Sequence, residues 1–251
     1  CLKRKIRDRL SENGYDIFIV KQEELLDEQK SLHGKVKAES DMVRAAKSKD
    51  RTAYRKIACE KWIDVRAFGQ VFAFKKDKKK AKGEEDEAGS QLSVGVRGPV
   101  SIQQAVSVDP VDMQITKSVN AEGGKKGRAS DTMGMKHYVN FGLYVIRGSI
   151  NCQLAEKTGF SDEDANKIKE ALCTLFENDA SSARPDGTCE VCRVYWWKHS
   201  EKTPKETSAM IQRSLKIMSK VEEPHSFDDY DIPMPESVCV PEIIEFNHIQ
   251  E

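Results

Sequence analysis

The chain has 251 residues, and its 41 lysines and arginines balance its 41 aspartates and glutamates, so the formal net charge is zero. No apolar run approaches the roughly 20 residues that cross a bilayer, which excludes a helical membrane protein. Seven cysteines without regular spacing argue against a disulfide scaffold and favour a reducing, cytoplasmic compartment. Because the chain starts at Cys1 and is helical in pattern at once, an N-terminal segment is expected to precede it.

The chain is predicted to open with a basic amphipathic helix. Leu2, Ile6 and Leu10 have helical spacing and give it one apolar face, and Gly14 ends it. The remaining positions are crowded with cations: Lys3, Arg4, Lys5, Arg7 and Arg9. Such a face is either simply solvated or a phosphate-binding surface, and the charge pattern alone leaves both open.

Two stretches of contrasting composition follow this helix. Residues 16–20 (DIFIV) predict a short buried strand. Residues 21–60 are dense in charge and poor in aromatic side chains, which predicts a helical insertion of marginal amphipathicity, appended to the main core.

Apolar character returns at residues 62–74 (WIDVRAFGQVFAF), which predict a strand. Gly69 marks a bulge, a turn or a close backbone approach within it. Arg66 either pairs with the nearby Asp64 or contacts a ligand. Residues 75–90 then change from a lysine run to an acidic run and predict a flexible surface loop.

Residues 91–150 organise the rest of the chain. Residues 93–115 and 138–150 alternate apolar with polar positions, as half-buried strands do. Between them, residues 116–137 lose the alternation and carry four glycines among five lysines and arginines. This pattern predicts a long basic hairpin that projects from the fold, and its excess of cations fits a polyanion partner and a merely solvated loop equally well.

A second helix has the clearest start signal in the chain. Ser161 is its predicted N-cap, and three acids follow in the first turn, where they complement the helix dipole. The predicted inward stripe is Ile168, Ala171, Leu172, Leu175 and Phe176.

Residues 189–195 (CEVCRVY) predict a strand that runs into two tryptophans. Cys189 and Cys192 alternatively supply half of a zinc site, with His199 as the nearest histidine. A structural zinc site needs four ligands, and the nearby sequence has no second CxxC or paired histidine motif to complete it. The proline-bearing tail from residue 222 onward predicts irregular or edge-strand structure.

The element order is helix, strand, helical insertion, strand, loop, strand, long hairpin, strand, helix, strand and tail. With a first strand supplied from upstream, this order predicts an α+β domain with an antiparallel sheet of the RNA-recognition type. Its predicted parts are a helical insertion over 21–60, a flexible loop over 75–90 and the hairpin over 116–137.

Several long motifs in one order resemble the repeated backbone subunit of type I CRISPR surveillance complexes (Cascade), the Cas7 family, and specifically its type I-C branch. The motifs are CLKRKIR, WIDVRAFGQVF, SVGVRGPVSIQQAVSVDPV, TMGMKHYV, FGLYVIRG and LAEKTGFSDED. Together they cover nearly the whole chain. The family's first strand and the loop before the LKRKIR helix have no counterpart in this sequence.

The resemblance implies a modified RNA-recognition fold shaped like a right hand, a single palm domain over 1–251. The hairpin over 116–137 would be its thumb, and the insertion over 21–60 would contribute to the fingers. Copies of such a subunit polymerise along a CRISPR RNA, leave most guide bases free to pair with target DNA, and cut nothing. Further partners would be the large subunit and the processing subunit that caps one guide end; no membrane, metal or cofactor is implied.

A protein that holds any guide sequence should grip phosphates and leave the base edges free. Carried over onto this sequence, the RNA-binding set is Lys3, Arg4, Arg7, Arg66, Arg97, Gln103, Gln104, Thr116, Lys117, Met133, Met135, Lys136 and His137. Met133 and Met135 would wedge at an interrupted base stack, although ordinary packing explains a methionine equally well.

Two other functions compete with this one. A precursor-RNA endonuclease would use His137 or Tyr138 as general base, although no acid partner accompanies them in the sequence. A zinc-dependent module would use Cys189 and Cys192.

Overall fold

The structure, a computed structural model, describes residues 2–20, 31–73, 92–120, 132–178 and 184–246, without the side chains of 117–120 and 132–134. Within these ranges the chain combines eight α-helices with twelve short strands, and every strand pair is antiparallel. The predicted α+β class is confirmed. None of the helices described is both long enough and apolar enough to span a bilayer.

The helices lie mainly in the N-terminal and central parts of the chain. They are α1 (Leu2–Glu12), α2 (Leu32–Ala38), α3 (Ser40–Lys47), α4 (Arg51–Lys61), α5 (Ile63–Phe68), α6 (Cys152–Thr158), α7 (Asp162–Cys173) and α8 (Ser208–Ser214).

The strands are β1 (Gly69–Phe72), β2 (Val94–Arg97), β3 (Val100–Ile102), β4 (Val106–Ser107), β5 (Met113–Asn120), β6 (Thr132–Val139), β7 (Tyr144–Val145), β8 (Gly148–Ile150), β9 (Arg193–Trp196), β10 (Met218–Ser219), β11 (Tyr230–Asp231) and β12 (Glu242–Glu245). They pair as β1 with β2, β3 with β8, β4 with β7, β5 with β6, β9 with β12 and β10 with β11. Among the described residues these pairs do not join into one sheet, so the sheet of the RNA-recognition type stays a prediction.

One core cluster lies beneath helices α2, α3 and α4. Its centre is aromatic: the ring of Phe18 lies 4.7 Å from that of Trp62 and 5.2 Å from that of Phe72, between ring centroids. Buried residues of the three helices pack into it, including Val36, Met42, Ala46, Tyr54 and Ala58. The described part of the insertion, 31–60, is helical as predicted, but it shares this core and is not an appendage. Residues 21–30 lie outside the described range.

A second core cluster joins α1, α5 and α7. Ile6 and Leu10 of α1 are fully buried in it, as their spacing predicts. Ile168 and Ala171 of α7 and Leu175 just after it are buried in this cluster, and Leu172 and Phe176 pack against it partly buried, which confirms the inward stripe. The helix starts at a capping box in which the Ser161 hydroxyl accepts from the Asp164 amide and the Asp164 carboxylate accepts from the Ser161 amide, so the predicted cap is also confirmed.

The predicted strand over 62–74 is largely wrong. Ile63–Phe68 is a helix, α5, and only Gly69–Phe72 is a strand. Because α5 is buried on both sides, with Val65 in the first core and Ile63 in the second, its apolar run carries no helical period to read.

Glycine lets α5 and β1 cross the turn between β2 and β3 at very short range. Gly69 has φ +77°, and a Cβ there would lie 2.4 Å from the Val96 carbonyl oxygen. A Cβ on Gly98 would lie 2.3 Å from the Ala67 carbonyl oxygen. The close backbone approach predicted at Gly69 is therefore confirmed.

Three other predictions have mixed outcomes. Residues 16–20 bury Ile17 and Phe18 but form no strand. The strand predicted over 189–195 begins only at Arg193, and it pairs with β12 from the tail, as an edge-strand tail predicts. The loop over 75–90 lies outside the described residues.

Candidate nucleic-acid interface

The described residues of 100–120 and 132–150 form three successive antiparallel ladders, which we call the arm. Val100 pairs with Ile150 at its base, Val106 with Val145 in its middle and Met113 with Val139 further out. The register shifts by one residue between successive ladders. Each time the extra residue lies on the strand that comes first in the sequence, within residues 103–112. Such insertions are β-bulges, which bend and twist a ribbon, so the arm is curved rather than straight.

The first bulge contains two of the predicted RNA contacts. The Gln103 amide donates to the Arg147 carbonyl at 2.8 Å, and Val106 pairs with Val145. Gln104 and Ala105 therefore lie opposite the single residue Ile146. Both glutamines are exposed there, where an interrupted ladder presents side chains away from the strand plane.

The outer ladder runs further than the sequence pattern predicts. Met113–Asn120 pairs with Thr132–Val139, so 116–120 and 132–137 are strand and not loop. The two strands pair as a projecting hairpin requires, and residues 121–131 at its tip lie outside the described range. Lys117 pairs with Met135 and Val119 with Met133 in the backbone register.

The two faces of this ribbon, β5 with β6, differ in chemistry. Because successive residues alternate between faces, Met113, Ile115, Met135 and Val139 share one face with His137 and, by the backbone register, with Lys117; we call it the apolar face after its four apolar side chains. The opposite, polar face carries Gln114, Thr116, Lys136 and Tyr138. The apolar face is open to solvent, with exposed fractions of 63% for Met113, 59% for Ile115 and 71% for Met135.

A cationic surface lies where α1 meets the end of α5. The Lys3 ammonium nitrogen is 5.3 Å and the Arg7 guanidinium carbon 5.1 Å from the Phe68 ring centroid, within cation–π range. The next residue, Gly69, pairs in the backbone with Arg97, whose side chain is exposed. Arg4 is also exposed on α1. The structure thus brings the predicted cations of α1 and β2 to one region.

Arg7 has a structural partner inside this region. Its Nε donates to Asp64 Oδ2 at 2.8 Å, and Asp64 is only 1% exposed. The same carboxylate accepts from the Phe18 amide at 2.7 Å and from the Ile19 amide at 3.2 Å. These bonds satisfy amides that a strand ladder would otherwise pair, which explains why residues 16–20 are buried without being a strand.

Arg66 has a structural partner too, and it is not Asp64. Its Nε donates to Asp164 Oδ2 at 2.9 Å and its Nη2 to Oδ1 at 2.7 Å, a two-point contact that ties α5 to the start of α7. Its Nη1 donates to the Cys59 carbonyl at 3.2 Å. The guanidinium therefore fixes the packing of three helices.

The Arg66–Asp164 pair should make the fold sensitive to acid. Burial opposes ionisation of Asp164, but hydrogen bonds from Arg66 and Ser161 outweigh it and lower the pKa of the carboxyl group. The stabilisation is present above the unfolded-state pKa of about 4 and is lost as pH falls through the lower folded-state pKa. Asp164→Asn should therefore be less stable near neutral pH, yet lose less stability on acidification. Urea unfolding at several pH values measures this; parallel profiles for variant and wild type would contradict it.

The residues proposed for the two rival functions are not assembled in the described structure. His137 and Tyr138 are consecutive in β6, so their side chains point to opposite faces and do not converge on one phosphate. Cys189 is exposed, while burial and the neighbouring Glu190 raise the pKa of the Cys192 thiol to about 11. Within the described ranges no three His, Cys, Asp or Glu side chains are grouped to hold a metal ion.

Several structural partners escaped the sequence interpretation. Asp64 and Asp164 hold Arg7 and Arg66 across 57 and 98 positions, and nothing in the sequence links the members of either pair. The sequence holds only a weak indication of the role of Phe68. It directly precedes Gly69, and a glycine that allows two backbone segments to approach closely places its neighbours where secondary-structure elements meet. The apolar face carried a stronger one, since Ile115, Val119, Met133 and Met135 keep the two-residue period through the segment interpreted as a loop.

The sequence of this chain matches a known protein family over most of its length. A sequence model of the family described as "CRISPR-associated protein Cas7" matches residues 1–235. The chain belongs to the Cas7 family. A curated relative with the same description, from Haloferax volcanii, is 23% identical over 191 residues, which cover 72% of this chain and 54% of the relative. This Cas7-family chain thus spans about half the length of the curated relative it matches.

Proposed function

We propose that this chain is a CRISPR-RNA-binding backbone subunit of a type I-C Cascade complex, several copies of which polymerise along one guide RNA in the cytoplasm. Membership of the Cas7 family supports the general role. The type I-C assignment rests on the sequence motifs quoted above. In this proposal the body is a modified RNA-recognition fold, and residues 116–137 are the thumb that closes over the guide.

The observation that carries the proposal is the outer ribbon with its two unlike faces. A two-stranded ribbon alone in water is only marginally stable, and here Met113, Ile115 and Met135 are exposed on one face. Bases offer flat apolar surfaces that flexible methionines and aliphatic side chains can contact without reading a sequence. The apolar face is thus suited to displace a base from the guide stack, with Met135 and Met133 at the wedge.

The cationic surface supplies the complementary grip on phosphates. Lys3 lies over the Phe68 ring, Arg4 and Arg97 are exposed on α1 and β2, and an arginine or lysine on a phosphate carries no sequence information. Arg7 and Arg66 serve the fold through their carboxylate partners, and Gln103 and Gln104 project from the first bulge towards the sugar–phosphate chain. Such a division leaves Watson–Crick edges free for target DNA.

We further propose that the subunit cuts nothing and that its neighbours in the complex are other copies of itself, a large subunit and the processing subunit that caps one guide end. The endonuclease alternative needs a base and an acid on one phosphate. The opposite orientation of His137 and Tyr138 speaks against that arrangement.

The proposal predicts sequence-tolerant, salt-sensitive binding. Affinity for two unrelated guides should fall with the same slope as salt rises, because phosphate contacts release counterions whatever the sequence. Arg97→Ala should lower that slope by about 0.7 for each bound subunit on single-stranded RNA. Fluorescence anisotropy over a salt series measures both quantities.

Arg213→Ala is the matched control, since Arg213 is exposed at the end of α8 and is not one of the predicted RNA contacts. Its salt slope should equal that of the wild type. Strong preference for one guide sequence would contradict the proposal, as would cleavage of precursor RNA by the purified protein with or without chelator.

A further inference from the structure

The arm has a second bulge, where the ladder of its outer ribbon is interrupted. Between the ladder ending at Ser107 with Tyr144 and the one starting at Met113 with Val139, residues 108–112 face residues 140–143. Five residues therefore oppose four. The Val108 amide still donates to the Leu143 carbonyl at 2.8 Å, so the break is confined to what we call the hinge, residues 109–112 with 140–142.

Side chains hold the two halves of the hinge together. Asp112 accepts from Gln114 Nε2 at 2.6 Å and from Asn140 Nδ2 at 3.0 Å, which links the two strands across the missing ladder bonds. Gly142 packs beside Val111 and Tyr144, where a Cβ would lie 3.0 Å and 2.9 Å from their side chains. These contacts are internal to the arm, so they do not set its direction relative to the body.

A contact from the C-terminal part of the chain does reach the hinge. The Tyr230 hydroxyl donates to Asp109 Oδ2 at 2.8 Å, across 121 positions of sequence. Tyr230 is buried and pairs with Ser219 in the β10–β11 ladder. Burial and the neighbouring Asp109 raise the pKa of Tyr230 to about 12, so the phenol keeps the proton that it donates.

The anchor for Tyr230 is itself tied to the body of the protein. Phe227, three residues earlier, lies under the Arg193 guanidinium at 5.4 Å, and Arg193 Nη2 is 2.9 Å from Glu245 Oε1. Arg193 and Glu245 belong to the β9–β12 pair, which Lys169 of α7 joins through Glu242 at 2.8 Å. Tyr230 therefore connects the hinge, through Phe227, to the β9–β12 pair, which is itself held to α7.

We propose that Tyr230 is a positioning residue that fixes the direction of the outer ribbon by holding Asp109 at the hinge. The C-terminal segment then acts as a brace for the arm. The consequence for guide closure rests on the proposed function, whereas the position of the arm does not. The inference is accordingly tested on the protein without RNA.

Tyr230→Phe removes the hydroxyl and keeps the ring. Hydrogen exchange at the Val108 amide should accelerate about tenfold, the scale expected for loss of a hydrogen bond to a charged acceptor. Spin labels introduced through noncanonical amino acids at Thr116 and Glu163 should give a broader distance distribution than in the wild type. Asp109→Asn, which keeps an acceptor oxygen, should preserve the narrow distribution, and Asp109→Ala should broaden it.

Tyr54→Phe is the matched control. Tyr54 is also buried, but in the first core, and its hydroxyl makes no hydrogen bond within the described residues. Exchange at Val108 and the label distances should stay at wild-type values in this variant. Unchanged exchange and an unchanged distance distribution in both Tyr230→Phe and Asp109→Ala would overturn the inference. If Tyr230→Phe did not fold, Asp109→Ala would test the same bond from its half-buried side.

Discussion

Asp64→Ala is expected to lower the free energy of unfolding by about 3–5 kcal/mol, the scale for removing one partner of a buried ion pair. The variant leaves the Arg7 guanidinium without its carboxylate and deprives the Phe18 and Ile19 amides of their acceptor. These groups lie between the two core clusters, so the loss should affect both. Urea unfolding followed by tryptophan fluorescence measures the change, because Trp62 lies in the first core.

Asp162→Ala provides the matched comparison. Asp162 is an exposed acid whose carboxylate lies 3.0 Å from the Lys198 ammonium, and exposed pairs contribute at most about 1 kcal/mol. Asp64→Asn should fall between the two, since an amide oxygen can still accept from the Phe18 amide. Equal stability of Asp64→Ala and Asp162→Ala would contradict the structural role assigned to Asp64.

Local signals explain which parts of the fold could be predicted from the sequence. The three-to-four residue spacing of Ile6 and Leu10 and the capping box at Ser161 each act within one or two helical turns, so α1 and α7 were predicted correctly. Helix α5 was not, because a six-residue segment buried on both sides shows neither the helical nor the strand period. Its conformation is decided by tertiary packing.

The candidate interface shows the same limit. Arg7 and Arg66 look like phosphate ligands in a linear sequence, since the acids that pair with them are brought close only by folding. Arg4 and Arg97 remain exposed and keep their predicted role as a proposal. The strands of the hairpin were predicted too short because Lys117 and the glycines obscured the alternation, although the backbone ladder continues to Asn120.

The largest functional effect is expected from removing the outer ribbon. Ile115 and His137 are direct partners in the ladder, so replacing residues 116–136 with Asn-Gly closes the strands with a two-residue turn in the existing register. The shortened protein should fold, because the described side chains removed lie at the surface. It should lose the closure over the guide, and chemical footprinting of the bound RNA should change from periodic reactivity to a flat pattern.

A pair of point variants separates the two faces of the ribbon without shortening it. Ile115→Ser with Met135→Ser makes the apolar face polar and should flatten the periodic footprint, since serine offers no apolar surface to a displaced base. Gln114→Ser, on the polar face, should leave the footprint periodic. Melting temperatures should change little in either case, as all three side chains lie outside both core clusters. If the double variant assembles on the guide with an unchanged periodic footprint, the apolar face does not contact the guide bases and the thumb assignment is wrong.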